Sequence, residues 1–414
     1  MNNQFLLMKD KRFLPLFVTQ FLGAFHDNLF KNALIVLILY RVATQTGMDA
    51  QTQSLLTTAA AGTLVLPFFL FSAMGGQLAD KFPKNIVMRH IKLVEIAIAF
   101  LGAASLMTGS LVLSFINLFA LGAQSAFFGP CKYSILPEHL KRDELIGGNA
   151  LLNTGTFLAI LLGTIVGTIV MAQEHGEVPI GILMIITALI GYGASRFIPH
   201  CIAANPSIKF NPNIATDTYQ VLKFGFSQGK DITLTMLGKG WFFFVGSLFL
   251  SQFPNYVKGT LQAEETILTF FTVLFSVGIG LGGLLNNRLL HGAVTAAFVP
   301  IAAIGLSVGS LDLYWATEHV VRLPDGALMS FSEFMSHPAH WRLILDVTLI
   351  AAFGGLYVVP LAAILQDRTP EETRAQVMAG SAIIDSMFMV VSAVVASALI
   401  ATGWTVPELF YGFA

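Results

Sequence analysis

The chain has 414 residues, 55% of them hydrophobic and only 11% charged, where an ordinary soluble domain carries about 25% charged residues. This is the composition of an all-α integral membrane protein. A formal net charge of −1 offers nucleic acid no basic face, and its two cysteines, Cys131 in a predicted span and Cys201 in a predicted loop, support no disulfide framework.

The N-terminus has only a short apolar patch ahead of Lys9, Lys11 and Arg12, the reverse order of a signal peptide. The first span is predicted from Leu14 to Tyr40. Asp27 lies thirteen residues into it, which at about 1.5 Å per residue is roughly 20 Å inward, near the bilayer centre. A charge at that depth is costly unless it faces a polar cavity or a partner. Lys31, one turn on, can pair with Asp27 as a purely structural bridge. His26, Asn28 and Asn32 on the same turns point instead to a solvated cavity.

Further spans are predicted at Leu55 to Leu78, Ile86 to Leu106, Leu111 to Leu136 (with Pro130 and Lys132 near its end), Leu145 to Met171 and Pro179 to Ile198. The stretch from Pro199 to Asp231 is polar and carries Pro206, Lys209, Pro212, Lys223 and Lys230. We therefore expect a first bundle over 1–200, a linker over 201–231 and a second bundle over 232–414. In the second bundle, spans are predicted at Ile232 to Val257, Thr266 to Leu285, Gly292 to Leu311, Leu343 to Leu365 and Gln376 to Trp404. A polar insertion from Asp312 to Arg342 carries Trp315, Glu318, Arg322 and Asp325. The run from Pro407 to Ala414 is too short to cross, so the twelfth span is expected to be incomplete and the natural polypeptide to continue.

Fifteen Lys and Arg residues gather at one end of these spans, against Lys258, Arg322 and Arg342 at the other. The positive-inside rule then places the N-terminus and the linker in the cytoplasm. Gly75 to Asn85, after the second span, and Gly282 to Gly292, after the eighth, occupy equivalent places in two halves. Similarly, Ile135-Leu136-Pro137-Glu138 matches Ile364-Leu365-Gln366-Asp367. Parallel repeats of this kind put a transport path between the halves near the midplane.

The segment Gly76-x-Leu78-Ala79-Asp80-Lys81-x-x-Lys84 resembles the loop signature of the major facilitator superfamily, in the position where that family carries it. The resemblance implies two six-helix bundles related by a pseudo-two-fold axis, with Gly76, Asp80, Lys84 and Arg288 as gating candidates. Within the superfamily, Gln20 to Asn28, Pro130 to Glu138 and Gly148-Asn149-Ala150 resemble the bacterial lysophospholipid transporter family. That resemblance implies a flippase of the bacterial inner membrane. It would move lysophosphatidylethanolamine-like lipid from the outer to the inner leaflet by alternating access, with acyltransferase and acyl-carrier-protein synthetase domains as partners.

A zwitterionic head needs a cation for its phosphate and a carboxylate or aromatic face for its ammonium. Lys132, with Tyr133 beside it, and Asp27, with Asn28 and Lys31, suit those roles; alternatively, Lys132 snorkels to the interface. Asp385 is a second intramembrane carboxylate, with Asn153 at the equivalent repeat position, and Asn149 joins the candidates through the shared motif. Bonding of Asp385 to Ser386 or backbone alone is an equal alternative. Glu95 is expected to pair with Lys92 at the bundle edge, and the role of Lys239 stays open. Phe68, Phe69, Phe71 and Trp241 to Phe244 are candidates for an acyl slot, although aromatics are more often packing residues.

Gly278-x-Gly280-x-x-Gly283 matches a dinucleotide fingerprint by letters alone and reads as a helix-packing stripe. His319, His337 and His340 lack metal-ligand spacing. No cofactor, metal or enzyme activity is expected. Two other readings stay open: a proton-coupled exporter of drugs or siderophores using Asp27, and a membrane anchor for a downstream enzyme.

Overall fold

A computed structural model describes residues 4–42, 47–321, 323 and 327–414. Arg322 and Asp325 of the expected insertion lie outside these residues. The described chain is helical, and eleven of its helices are long and apolar enough to cross a bilayer.

The first bundle comprises α1 (Leu14–Val36), α2 (Ala50–Lys81), α3 (Lys84–Thr108), α4 (Leu111–Ser134), α5 (Leu145–Met171) and α6 (Glu177–Ser195). Local chemistry sets their ends. Asp49 caps α2 by accepting from the Thr52 N–H at 2.9 Å. Gly109, left-handed at φ 65°, ends α3, and Ser110 then caps α4. Pro67 and Pro130 lie inside helices, which membrane helices tolerate when neighbours satisfy the freed backbone.

The stretch read as a linker contains its own helix, α7 (Ile214–Ser227), capped by the Asn213 side chain. The second set of helices is α8 (Lys230–Asn255), α9 (Glu265–Leu289), α10 (Val299–Glu318), α11 (Pro338–Arg368) and α12 (Arg374–Ala401), followed by the short α13 (Val406–Gly412).

Sequence and structure differ most at α10. Its predicted span, 292 to 311, starts and ends seven residues too early. His291 and Gly292 take positive φ angles of 51° and 80°, which breaks the chain where an apolar run had suggested a helix. The true helix runs on past Asp312, whose charge is matched by Arg342 on α11 through two hydrogen bonds, one of them 2.9 Å. A paired charge need not end a span. Trp315 and Glu318, expected in a polar insertion, are therefore helical, and α11 begins five residues before its predicted start.

Helices α1, α5, α3 and α6 form the first core, and a phenylalanine-rich cluster centred on Phe249, Phe253, Phe271 and Phe275 forms the second. The halves meet along two seams, α2 with α12 and α5 with α9. Both seams are built from small residues, which let backbones approach. A Cβ on Gly76 would stand 2.8 Å from the Ala379 Cβ and 2.9 Å from the Ala375 oxygen.

Candidate functional site

One end of the bundle, carrying Lys81, Lys84, Arg142, Lys230, Arg368 and Arg374, is called the basic end. The hydrogen bonds that join the halves gather there. Asp80, buried at the end of α2, accepts from the Ala375 N–H at 3.0 Å and the Gln376 N–H at 3.1 Å, so that it caps α12. Arg142 makes two 2.8 Å bonds to Asp367. Asn149 and Gln366, both fully buried, exchange amide bonds of 2.7 and 2.9 Å. Deepest is Thr154, whose hydroxyl donates to the Gly280 carbonyl at 3.2 Å. Beyond that depth, the bonds between helices among the described residues stay within one half, as in Asn32 to Thr164 and Tyr256 to Thr317.

Of the gating candidates, Gly76 and Asp80 sit on the seam. Lys84 does not bridge the halves: it is wholly buried and paired with Glu138 of its own half at 2.6 Å. Arg288 is exposed at the end of α9 and joins none of these bonds. Asn149, expected at the substrate, is spent on closing the basic end, while Asn153 one turn deeper is only partly buried.

In the first half, Asp27 is buried and accepts from the Ser125 hydroxyl of α4 at 2.6 Å. Lys31 turns its ammonium to the Asn28 side-chain oxygen at 2.9 Å, so the alternative of a structural bridge to Asp27 is not formed. Ser125 also contacts the Gln124 oxygen at 3.1 Å, and the Gln124 amide donates to Glu95 at 2.6 Å. Lys92 binds the same Glu95 oxygen at 2.6 Å, and His26 Nδ1 stands 3.5 Å from the other. Lys92 and Glu95 are thus at the centre of the bundle, not its edge. Room for Lys92 comes from Gly23, where a Cβ would lie 2.6 Å from its ammonium. The sequence offered a signal in the i, i+3 pair of Lys92 and Glu95. Gln124 and Ser125 gave none, because isolated polar residues on an apolar helix are common.

In the second half, Lys239 of α8 forms an ion pair with Asp385 of α12 and donates to the Ser381 hydroxyl at 3.0 Å. Lys239, whose role was left open, thus has a buried partner, and Asp385 bonds to a cation rather than to Ser386 or backbone alone. Tyr133 joins the halves at this level: its ring centroid lies 4.5 Å from the Lys132 ammonium and 5.9 Å from that of Lys239. Lys132 is therefore folded over the neighbouring ring.

Of the aromatic residues named for an acyl slot, Phe242 lines a small apolar cavity in the second half. Phe71 packs on Phe119 and Phe127, and Trp241 stacks on Phe244 at 5.1 Å. An apolar groove of about 770 Å³ lies elsewhere, between α2, α3 and α4, with Leu78, Phe82, Ile91 and Phe127 on its walls. Gln124 belongs both to this groove and to the buried Glu95 network.

Two bundles joined at one end, with buried charges from both halves near their interface, are the fold of several solved transporters. The crystal structure of the human organic anion transporter MFSD10 superposes with a TM-score of 0.78 at 15% identity, covering 97% of this chain and 96% of that one. The fucose:proton symporter FucP of E. coli gives 0.68 at 12% identity, covering 97% and 96%. A bacterial homologue of the iron transporter ferroportin, in an outward-facing state, gives 0.64 at 13% identity, covering 96% and 95%. No family model matches the chain. At the level of sequence it is a homologue of proteins named lysophospholipid transporter LplT. Those of Salmonella heidelberg (strain SL476) and Salmonella typhi are each 28% identical over 364 residues, which is 87% of this chain and 80% of theirs.

Proposed function

We propose that the protein is a secondary carrier for lysophospholipid, moving lipids such as lysophosphatidylethanolamine from the outer to the inner leaflet of the bacterial inner membrane by alternating access. The observation that carries this reading is the Tyr133 ring held between Lys132 of the first half and Lys239 of the second. Two cations on one ring, one from each half, suit a single phosphate bound between the halves. Asp27, with an oxygen free of hydrogen bonds, lies about two turns from Tyr133 along α4, at the level of Ser125, and receives the ammonium at a separate stage of the passage, with Asn28 beside it. On this reading Asp385 holds Lys239 until phosphate competes for it.

The basic end is assigned to the cytoplasm by the positive-inside rule. A molecule whose hydrogen bonds between the halves, among the described residues, lie at that end and reach no deeper than Thr154 is then in an outward-open state, ready to receive lipid from the far leaflet. An acyltransferase on the cytoplasmic side would consume the delivered lysolipid. The test is uptake of labelled lysophosphatidylethanolamine by reconstituted vesicles. Asp27→Asn and Lys239→Gln should each reduce uptake at least about tenfold while the protein still folds. Wild-type uptake by Asp27→Asn would make that carboxylate structural and overturn the reading of the first half. Full insensitivity to protonophore is also expected, and strict dependence on a proton gradient would favour a proton-coupled exporter.

A further inference from the structure

Helix α7 has two faces with different partners. Its inner face, Asp217, Thr218, Val221 and Gly225, is buried. Val221 packs in one cluster with Ala73 of α2 and with Ala379 and Ile383 of α12. Gln77 of α2 grips the connector with both ends of its amide: it donates to Asp217 and accepts the Asn211 N–H at 2.9 Å. Ahead of the helix, the Asn205 N–H donates to the Asp80 carbonyl at 2.7 Å. The connector is thus a strap laid across the seam at the basic end.

The outer face repeats at helical spacing through Thr216, Tyr219, Lys223 and Phe226, all exposed. Tyr219 is 66% exposed and Phe226 42%, a poor arrangement for a surface meeting only water, since each ring left out forgoes about 1.5 to 3 kcal/mol of burial. The Thr233 hydroxyl in the first turn of α8 donates to the Phe226 carbonyl at 3.2 Å. From there an exposed apolar stripe of Leu234, Leu237 and Trp241 runs along α8 into the bilayer. Phe226 therefore lies at the level where α8 enters the membrane. Lys223 and Lys230 are exposed at the same level, and the acid of α7, Asp217, is turned inward. Aromatic rings beside lysines at the mouth of a span are the composition of a segment resting in the headgroup layer.

We propose that the outer face of α7 docks on the bilayer surface, with Tyr219 and Phe226 seated at the acyl boundary and Lys223 and Lys230 against anionic lipid headgroups. The continuity of Phe226 with the lipid-facing stripe of α8 selects a lipid surface over a protein partner. Because the inner face bridges α2 and α12, the lipid under the strap also bears on the seam between the halves.

The test uses an environment-sensitive fluorophore on Tyr219→Cys in nanodiscs. The native thiols do not compete: Cys131 and Cys201 are buried, and burial pushes the Cys201 thiol up to about 12. With one quarter phosphatidylglycerol in phosphatidylcholine, quenching by aqueous iodide should fall at least about threefold relative to a label on Glu174→Cys at the opposite end. A spin-labelled lipid carrying its nitroxide near the headgroup should quench the fluorophore. Phosphatidylcholine alone, or Lys223→Gln with Lys230→Gln, should restore iodide access. Equal iodide quenching at both positions would overturn the proposal, as would equal shielding with and without anionic lipid. No substrate is present, so failure here leaves the lysolipid reading standing.

Discussion

The Asp80 carboxylate accepts the backbone N–H of Ala375 at 3.0 Å, so an acid of one half closes the N-terminus of a helix in the other. Caps of this kind contribute about 0.5 to 2 kcal/mol, enough to shift a two-state equilibrium about two- to thirtyfold. Asp80→Asn keeps one acceptor oxygen but loses the charge. Spin labels on the exposed Lys141→Cys and Glu371→Cys, one in each half at the basic end, should show a longer-distance population that is minor in the parent protein. An unchanged distance distribution would remove Asp80 from the gate.

Gly76 makes a steric prediction at the same seam. Gly76→Leu drives a side chain into the Ala375 carbonyl and the Ala379 methyl, contacts that backbone cannot yield cheaply. The labelled pair should then report the basic end as open in most molecules, and uptake should fall. Retention of the short distance would mean that the seam can part locally without rocking the halves.

The Lys239 and Asp385 pair makes an energetic one. Removing one partner of a buried pair leaves an uncompensated charge, at a cost of about 3 to 5 kcal/mol, whereas replacing both with apolar residues is often neutral. Lys239→Met or Asp385→Leu alone should lower the detergent melting temperature by several degrees. The double substitution should recover most of that loss but not lysolipid uptake. Recovery of uptake as well would show that the pair serves packing alone.

Asp217 gives the connector a pH dependence. Burial raises its carboxyl to about 6, opposed by the Gln77 hydrogen bond. A folded-state value above the unfolded 3.8 means that docking of the connector is favoured in full below about pH 4 and loses that contribution as pH rises through 6. Amide exchange across 214–227, corrected for intrinsic rate, should be slower at pH 5 than at pH 7.5, and Asp217→Asn should abolish the difference. A wild-type pH response in that variant would assign the effect to another group.

Much of the fold was legible because crossing a bilayer demands about twenty apolar residues, and such runs are visible without any knowledge of packing. The place of Asp80 on the seam was legible for a related reason: a carboxylate after a glycine pair at the end of a span has few acceptable partners. Legibility failed where the partner lay far along the chain. Nothing near Lys239 in sequence announces Asp385, and nothing near Asn149 announces Gln366, so the role of one stayed open and the other was read as a substrate ligand. The error at α10 has the same root, since Asp312 stops looking like a helix end only once Arg342 is known to face it. The connector helix was hidden by Pro206 and Pro212 ahead of it and by the lysines around it, which suit a loop as well as a short interfacial helix.

The pairing of Lys239 with Asp385 also bears on how the protein is made. The first bundle neutralises Lys92 with Glu95 three residues later on the same helix, so α3 can enter the membrane with its charge already matched. Helix α8 cannot, because its partner lies 146 residues downstream. At about 5 to 20 residues per second, the ribosome needs roughly 7 to 30 s to supply it, and a lone lysine within a span raises the cost of insertion, by up to about 2.5 to 3.5 kcal/mol at a helix centre. During that interval α8 carries an unmatched charge and is held less securely than α3, a condition relieved when α12 arrives. Truncation before α12 should leave a chain whose first six helices resist membrane-integrated proteolysis while α8 is extracted and degraded.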